Sequence, residues 1–349
     1  MRLLRQLPFR IAVSAGLIAI LVWRVNIREA LETLTEANYI YLAAALPIYS
    51  LSKLVSTYRW RLMLRSLGDL PMLDLFGIFL TSNMVNVLIP LRAGDIVRVQ
   101  VPAHRYGLPR AGLTATVFVT ESVLDGVAFA AVVLGAIAFL NVPNLPPGLA
   151  WGLIFVVAAG LAVAVAASRL RLREGWQDRG WFGRLPRPVR RTAGDSLPSF
   201  QEGLSILRDV PLASQALVAT AAIWLLEGAR FALFGLTFGL DLGFADYLVI
   251  MVVANMVGAI PITPSNIGPY EVAVAEVVAL LGVDASLAGG YAIGTHVVSI
   301  VWVVATGLAA MWLMGLRMTD VFYLRERPAE ETPPEVPPPA GRRRERGGR

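Results

Sequence analysis

The sequence contains no cysteine and only two histidines in 349 residues. The absence of cysteine excludes disulfides, thiolate nucleophiles and cysteine metal sites, and two histidines are too few for a His-rich metal centre. We therefore expect no metal and no cofactor. Charged residues are also scarce, at 16% of the chain, whereas a typical soluble domain has about 25%. The composition thus excludes an ordinary soluble enzyme.

Long apolar runs take up most of the chain, which is 56% hydrophobic with a mean hydropathy of +0.62. A helix needs about 20 apolar residues to cross roughly 30 Å of hydrocarbon. The pattern predicts an all-α polytopic protein of the cytoplasmic membrane, with about six full spans. These spans are expected at residues 9–23, 39–55, 113–140, 149–167, 212–240 and 287–316.

The net charge of +6 comes from basic residues, nearly all arginine, that lie between and after the apolar runs. Cytoplasmic loops of membrane proteins have this pattern, so we expect no nucleic-acid partner. The orientation that follows puts both chain termini in the cytoplasm. Its markers are Arg2, Arg5 and Arg10 before the first span, Lys53, Arg59, Arg61 and Arg65 after the second, and an Arg-rich loop at 169–210. The Pro- and Arg-rich tail, 317–349, is predicted to be a disordered cytoplasmic extension.

Two shorter apolar stretches, 73–89 and 247–260, are each interrupted by proline, at Pro90 and Pro261. Each is predicted to form a re-entrant hairpin of two half-helices. Broken backbone at membrane depth is tolerated only where it lines a cavity, so we expect a cavity at each break. Asn83 and Asn255 both begin an Asn-Met-Val triplet just before the break. We therefore predict a transmembrane domain, 1–316, with an inverted repeat of 39–140 and 211–316, a plan common in secondary transporters.

Two motifs surround these breaks. The first is Leu91-Arg92-Ala93-Gly94-Asp95-Ile96-Val97-Arg98, followed by Glu121, and the second is Pro264-Ser265-Asn266-Ile267-Gly268-Pro269-Tyr270-Glu271. Together they resemble the flippase-like membrane domain of lysylphosphatidylglycerol synthetases, over roughly residues 8–316. Many members of that family carry Gly-Gly where this chain has Ser265-Asn266.

That resemblance implies movement of a lipid between leaflets. The family's Arg, Gly and acidic positions fall on Arg92, Gly94, Asp95 and Arg98, and its Pro, Gly and Glu fall on Pro264, Gly268 and Glu271. Since no soluble domain with an apolar core fits after Arg317, we expect no lipid aminoacylation. The expected substrate is a phospholipid or related amphiphile with an anionic or aminoacylated headgroup.

Charged residues inside apolar segments are costly and usually face a bundle interior. The guanidinium groups of Arg92, Arg98 and Arg230 suit a phosphate, although arginine at a span end also snorkels to the surface. The complete predicted substrate-binding set is Arg92, Gly94, Asp95, Arg98, Glu121, Asp125, Arg230, Pro264, Ser265, Asn266, Gly268 and Glu271. Asn83, Asn255 and His296 are predicted to line the path.

Each of these assignments has a structural alternative. Glu121 and Asp125, four residues apart on one helix face, either form a polar groove wall or lock the first hairpin in ion pairs. Glu227 and Arg230 have the spacing of a local pair. Glu271 is also placed to cap its own helix.

Three functions remain open on the sequence. A lipid transporter is favoured, and since there is no GxxxxGK[ST] motif it would use an ion gradient or scramble passively. The alternatives are a membrane-embedded transferase, with Glu121 and Asp125 as acid and base, and an accessory subunit whose Arg-rich loop or tail binds a partner protein or a second copy.

Overall fold

The computed structural model describes residues 37–89, 92–139, 147–169, 196–259 and 263–316. This part of the chain is helical and contains no strand. The helices are α1 (Tyr39–Leu64), α2 (Met72–Leu88), α3 (Gly94–Tyr106), α4 (Arg110–Phe118), α5 (Asp125–Phe139), α6 (Pro147–Arg169), α7 (Val210–Thr237), α8 (Phe244–Ala259), α9 (Pro269–Leu280) and α10 (Ala285–Leu313). A π-helical turn, Val119–Leu124, joins α4 to α5.

Four helical segments in the described residues are long and apolar enough to cross a membrane: Tyr39–Leu64, Arg110–Gly135, Val210–Thr237 and Ala285–Leu313. Only 22% to 39% of each apolar window is buried, so most of their apolar surface faces outward, as lipid-facing helices require. These segments correspond to four of the six predicted spans. The predicted span at 149–167 falls on α6, and the one at 9–23 lies outside the described residues, as do most of the Arg-rich loop and the tail.

Helices α1 and α7 form an antiparallel pair at the centre of the fold. The Asn38 N–H, just before α1, donates to the Thr237 carbonyl at the end of α7 (2.8 Å). Farther along α1, Ser52 donates to Glu227 (2.6 Å) and Arg59 to Thr220 (3.0 Å). The end of α1 therefore lies beside the start of α7.

Helix α1 is longer than the predicted span 39–55, so two of the basic residues that were expected to follow the span lie inside the helix. The helix continues to Leu64, and Lys53 and Arg59 lie within the bundle, where each contacts a carboxylate on another helix. Those carboxylates offset the cost of burying the cations. Arg61 pairs instead with Asp69 in an exposed contact near the helix end.

Two helical hairpins approach this central pair from opposite ends. The first, α2 and α3, follows the end of α1, and the Tyr106 hydroxyl at its base donates to Asp74. The second, α8 and α9, follows the end of α7, so its base lies at the opposite end. Their breaks meet, because the Ser265 hydroxyl donates to the Val87 carbonyl (2.8 Å).

Each hairpin packs into its own apolar core. The first core holds Trp60, Ile78, Met84, Val97 and Leu113. The second contains Phe234, Ile250, Met251, Val274 and Tyr291. Helix α10 packs along both hairpins. The two breaks therefore lie between the two apolar cores.

Candidate functional site

Left-handed backbone is concentrated at the two breaks. Arg92 (φ 53°), Ser265 (φ 51°) and Asn266 (φ 55°) are the non-glycine residues with positive φ in the described part of the chain. Left-handed backbone costs an ordinary residue about 1–2 kcal/mol, and such strain persists only where the surroundings enforce it. A Gly-Gly pair would adopt the same path as Ser265-Asn266 without this cost.

Gly94 is required at the first break by the close approach of α2. A Cβ atom there would overlap the Ser82 carbonyl oxygen. The Ser82 hydroxyl donates to the Gly94 carbonyl (2.8 Å), and the Gly94 N–H donates to Asn86 Oδ1 (2.7 Å). Asn86 Nδ2 in turn reaches Asp95. The sequence analysis did not single out Asn86, although it lies only eight residues before Gly94 in the chain.

Four residues make up the first charge cluster: Arg92, Asp95, Arg98 and Glu121. Glu121 accepts from Arg98 Nη1 through Oε1 (2.6 Å) and from Arg92 Nη2 through Oε2 (2.8 Å). Arg92 Nε also donates to Asp95 (3.1 Å). The Arg92 side chain is 43% exposed, whereas that of Arg98 is 3% exposed. Arg92 is therefore the cation of the cluster that a ligand can reach.

Two aromatic rings and a threonine contact the Arg98 guanidinium in addition to Glu121. Its guanidinium lies over the rings of Trp60 (4.8 Å to the centroid) and Phe79 (4.9 Å), and it donates to Thr120 (3.2 Å). Both Thr120 and Glu121 belong to the π-helical turn. Such turns occur frequently at functional sites. The surroundings of Arg98 favour a positioning role over direct contact with a ligand.

Asp125 was predicted to share a site with Glu121, but it pairs with a different arginine. Its two oxygens accept from Arg59 Nη1 (2.6 Å) and Nη2 (3.0 Å). The Trp224 ring nitrogen also approaches Asp125 (3.3 Å). The sequence signal for Arg59 was a polar stripe on α1, since Ser52, Ser56 and Arg59 share one helix face.

The second charge cluster consists of Lys53, Glu227 and Arg230. Glu227 Oε1 accepts from Lys53 (2.8 Å) and Oε2 accepts from Arg230 Nε (2.9 Å). The three-residue spacing of Glu227 and Arg230 predicted the contact between these two residues. Arg230 also donates to Ser299 (2.9 Å) on α10. No pattern in the sequence predicts Lys53 at this position in the cluster.

At the second break, Gly268 has φ 94° and Glu271 stabilises the start of α9. Glu271 Oε2 accepts from the Gly268 N–H (2.7 Å), which is the capping contact weighed from the sequence. Its other oxygen lies 2.6 Å from His296 Nδ1. The Tyr270 ring stacks on His296 (4.0 Å between centroids). Pro264 begins the short 3₁₀ turn Pro264–Asn266 at this break.

The two asparagines of the predicted repeat lie in different surroundings. Asn83 borders a small cavity, and its amide nitrogen is buried without a hydrogen-bond partner. Asn255 is exposed on α8. The side-chain oxygen of Asn266 is likewise buried and without a partner.

Ion pairing limits the chemistry of these clusters. Glu121, Asp125 and Glu227 each contact at least one arginine or lysine, so their oxygens are already engaged by cations of the protein. Within the described residues no group of three His, Asp or Glu side chains could hold a metal ion. The breaks instead present arginine, amide and hydroxyl groups, which suit binding of a charged headgroup.

Comparisons with known proteins agree with the resemblance in the motifs. Residues 9–307 match the model of the family described as "Lysylphosphatidylglycerol synthase TM region". A UPF0104 membrane protein of Methanothermobacter thermautotrophicus is 22% identical over 332 residues, covering 89% of this chain and 96% of that protein. A second match, to a UPF0104 membrane protein of the same organism, is 33% identical over 84 residues, or 24% of this chain and 25% of that protein. With its apolar helices, the chain is a multi-pass membrane protein.

Proposed function

We propose that this chain, which belongs to the lysylphosphatidylglycerol synthase TM region family, moves a phospholipid or related amphiphile between leaflets. The expected headgroup is anionic or aminoacylated. The proposal is of a transporter and not of an enzyme. A membrane lipid-related role follows from the family, and the transport activity is our inference from the site.

The observation that carries the proposal is the meeting of two broken helices inside the bundle. The hairpins come from opposite ends of the α1–α7 pair and touch where Ser265 donates to Val87. In transporters with inverted repeats, substrate sites lie near the midplane, where discontinuous helices meet. We infer that both hairpins are re-entrant and that the two halves form such a repeat.

Arg92 is the proposed first contact for the headgroup. Its guanidinium is 43% exposed and bound to Glu121 and Asp95. Two oxygens of a phosphate can accept parallel N–H bonds from a guanidinium, as a carboxylate does, so a phosphate can replace one of these partners and keep the cation paired. For an aminoacylated headgroup, the unpaired side-chain oxygen of Asn266 is an acceptor for an ammonium at the facing break.

The experiment that tests the proposal is a leaflet-transfer assay in proteoliposomes. Labelled anionic, zwitterionic and aminoacylated phospholipids are offered separately, and dithionite bleaches the label that reaches the outer leaflet. We expect the unmodified protein to expose inner-leaflet label of at least one class. Arg92→Asn removes the cation while keeping a residue that tolerates left-handed backbone, and we expect it to slow transfer. The matched control, Arg61→Gln, changes an exposed pair near the end of α1 and should transfer normally.

Transfer equal to that of protein-free liposomes for every lipid would overturn the proposal. Transfer that Arg92→Asn leaves unchanged would overturn the assignment of Arg92 alone. A dependence of transfer on an imposed ion gradient would identify a coupled transporter, and its absence would identify a scramblase.

The proposed orientation puts both chain termini in the cytoplasm. Since the chain has no cysteine, single cysteines introduced at either terminus can be labelled without background. Labelling in inside-out vesicles, but not in intact cells, by a membrane-impermeant maleimide is the expected result. Cross-linking through the C-terminal cysteine tests whether the tail contacts a partner protein or a second copy, and a single cysteine in the Arg-rich loop tests the loop in the same way.

A further inference from the structure

A small cavity separates the central helix α1 from the first hairpin. Its walls come from α1, α2 and α10, and its lining residues are Tyr49, Ser50, Lys53, Leu80, Asn83, Trp302, Val303 and Thr306. The cavity lies beside the second charge cluster, because Lys53 belongs to both. The transport proposal does not use it.

Two side chains around this cavity, Asn83 and Lys53, have N–H donors without a partner among the described residues. Asn83 Nδ2 is buried and has no partner. The Lys53 ammonium has one partner among the described contacts, Glu227, and so has further N–H donors. The hydroxyls of Ser50 and Thr306 already donate to backbone carbonyls on their own helices. An acceptor atom in the cavity would therefore give Asn83 Nδ2 and Lys53 a partner.

The surrounding charge favours an anion over a neutral acceptor. The second charge cluster has two cations, Lys53 and Arg230, and one carboxylate, Glu227. Both cations lie against the same ring, that of Tyr49, at 4.5 Å and 4.4 Å from its centroid.

Among the described residues, Glu227 is the acid that contacts Lys53 and Arg230. The oxygens of Glu271 contact the Gly268 N–H and His296, and no ion pair joins Glu271 to Lys53 or Arg230 in the described residues. By contrast, Arg59, Arg92 and Arg98 are matched by Asp95, Glu121 and Asp125. Among the described contacts, the second charge cluster therefore has two cations for one carboxylate, beside a cavity that already presents an unpaired amide.

We propose that the cavity binds a single anionic acceptor atom, held by Asn83 Nδ2 and Lys53. Two sources share this chemistry: a free halide ion, and one phosphoryl oxygen of a lipid headgroup. The proposal concerns binding alone, so it stands or falls separately from leaflet transfer.

The test is thermal unfolding of the purified, lipid-depleted protein in detergent. In one arm, sodium bromide replaces sodium gluconate at constant ionic strength. In the other, short-chain phosphatidylglycerol is compared with the uncharged diacylglycerol of equal chain length. We expect the melting temperature to rise with ligand concentration in at least one arm, because a ligand that binds only the folded state stabilises it by mass action.

Two variants of Asn83 make the result specific. Asn83→Leu keeps an apolar helix with a side chain of similar size and should abolish the response. Asn83→Asp places a carboxylate in the cavity, so we expect it to be more stable than the unmodified protein in gluconate and to lose the response. Asn255→Leu, at the exposed asparagine of the other triplet, is the matched control and should respond like the unmodified protein.

A response confined to bromide would identify a free-anion site, and one confined to phosphatidylglycerol would identify a headgroup site. No response in either arm would overturn the proposal. A response that persists in both Asn83 variants would overturn it as well, because the ligand would then bind elsewhere.

Discussion

Replacing Glu121 by glutamine should destabilise the fold far more than replacing an exposed carboxylate. The substitution removes the charge that pairs with Arg98 and Arg92, at 2.6 Å and 2.8 Å. Arg98 is 3% exposed and its Nε atom is already buried without a partner. The variant would therefore leave a buried guanidinium without its counter-charge.

Losing one partner of a buried ion pair costs about 3–5 kcal/mol. The Arg92 contact adds little to this, since exposed pairs contribute only about 0–1 kcal/mol. We expect Glu121→Gln to lower the free energy of unfolding by about 3–5 kcal/mol. Asp69→Asn, in the exposed pair with Arg61, is the matched control and should cost about 0–1 kcal/mol.

The assay is equilibrium unfolding in mixed micelles of increasing SDS fraction, followed by tryptophan fluorescence. A double-mutant cycle with Arg98→Met separates the pair from general damage. If the pair is the cause, the double variant costs less than the sum of the single variants, with a coupling of about 0.5–3 kcal/mol. Strictly additive costs, or a Glu121→Gln variant as stable as Asp69→Asn, would refute the reasoning.

Five further substitutions test the local geometry in the same unfolding assay. The stability of Ser265→Gly should stay within about 1 kcal/mol of that of the unmodified protein, because relief of left-handed strain, about 1–2 kcal/mol, offsets a lost hydrogen bond of about 0.5–1.5 kcal/mol. Ser265→Val should cost more than about 2 kcal/mol, since a β-branched residue is a true outlier there. Equal stabilities of the two variants would contradict the assigned backbone. Gly94→Ala should destabilise the fold because its Cβ would overlap the backbone of α2. The control Gly126→Ala, which meets open space, should stabilise its helix by up to about 1 kcal/mol. The reverse order of the two stabilities would be inconsistent with the packing of α2. Arg59→Lys should cost about 1–3 kcal/mol, because lysine cannot make both bonds to Asp125, and an unchanged stability would argue against the bidentate pair.

The sequence was most informative where chemistry and pattern are local. Apolar runs predicted the four long helices, the prolines predicted the breaks, and the three-residue spacing of Glu227 and Arg230 predicted their ion pair. Close packing explains the glycine of the first motif, because α2 approaches Gly94 too closely for a side chain. Each of these depends on residues that are neighbours along the chain.

Contacts between distant segments could not be derived in the same way. Lys53 and Arg59 were interpreted as surface cations because basic residues usually mark a cytoplasmic helix end. Their acid partners lie on α7 and α5, more than sixty residues away in the sequence. Asp125 was grouped with Glu121 by helical spacing, yet the π-helical turn between them and the position of Arg59 give it a different partner. Asn83 and Asn255 looked equivalent, but Asn83 borders a cavity and Asn255 is exposed.

The central claim, that lipid transfer depends on the two meeting breaks, is tested most directly by locking them together reversibly. Val87→Cys and Ser265→Cys introduce the only cysteines into a chain that has none, at positions joined by a hydrogen bond. A short bifunctional methanethiosulfonate linker then connects them in proteoliposomes, and leaflet transfer of labelled lipid is measured before linking, after linking and after reduction. We expect transfer to stop on linking and to recover on reduction, with each single-cysteine variant unaffected by the same treatment. Undiminished transfer through the linked protein would contradict the account.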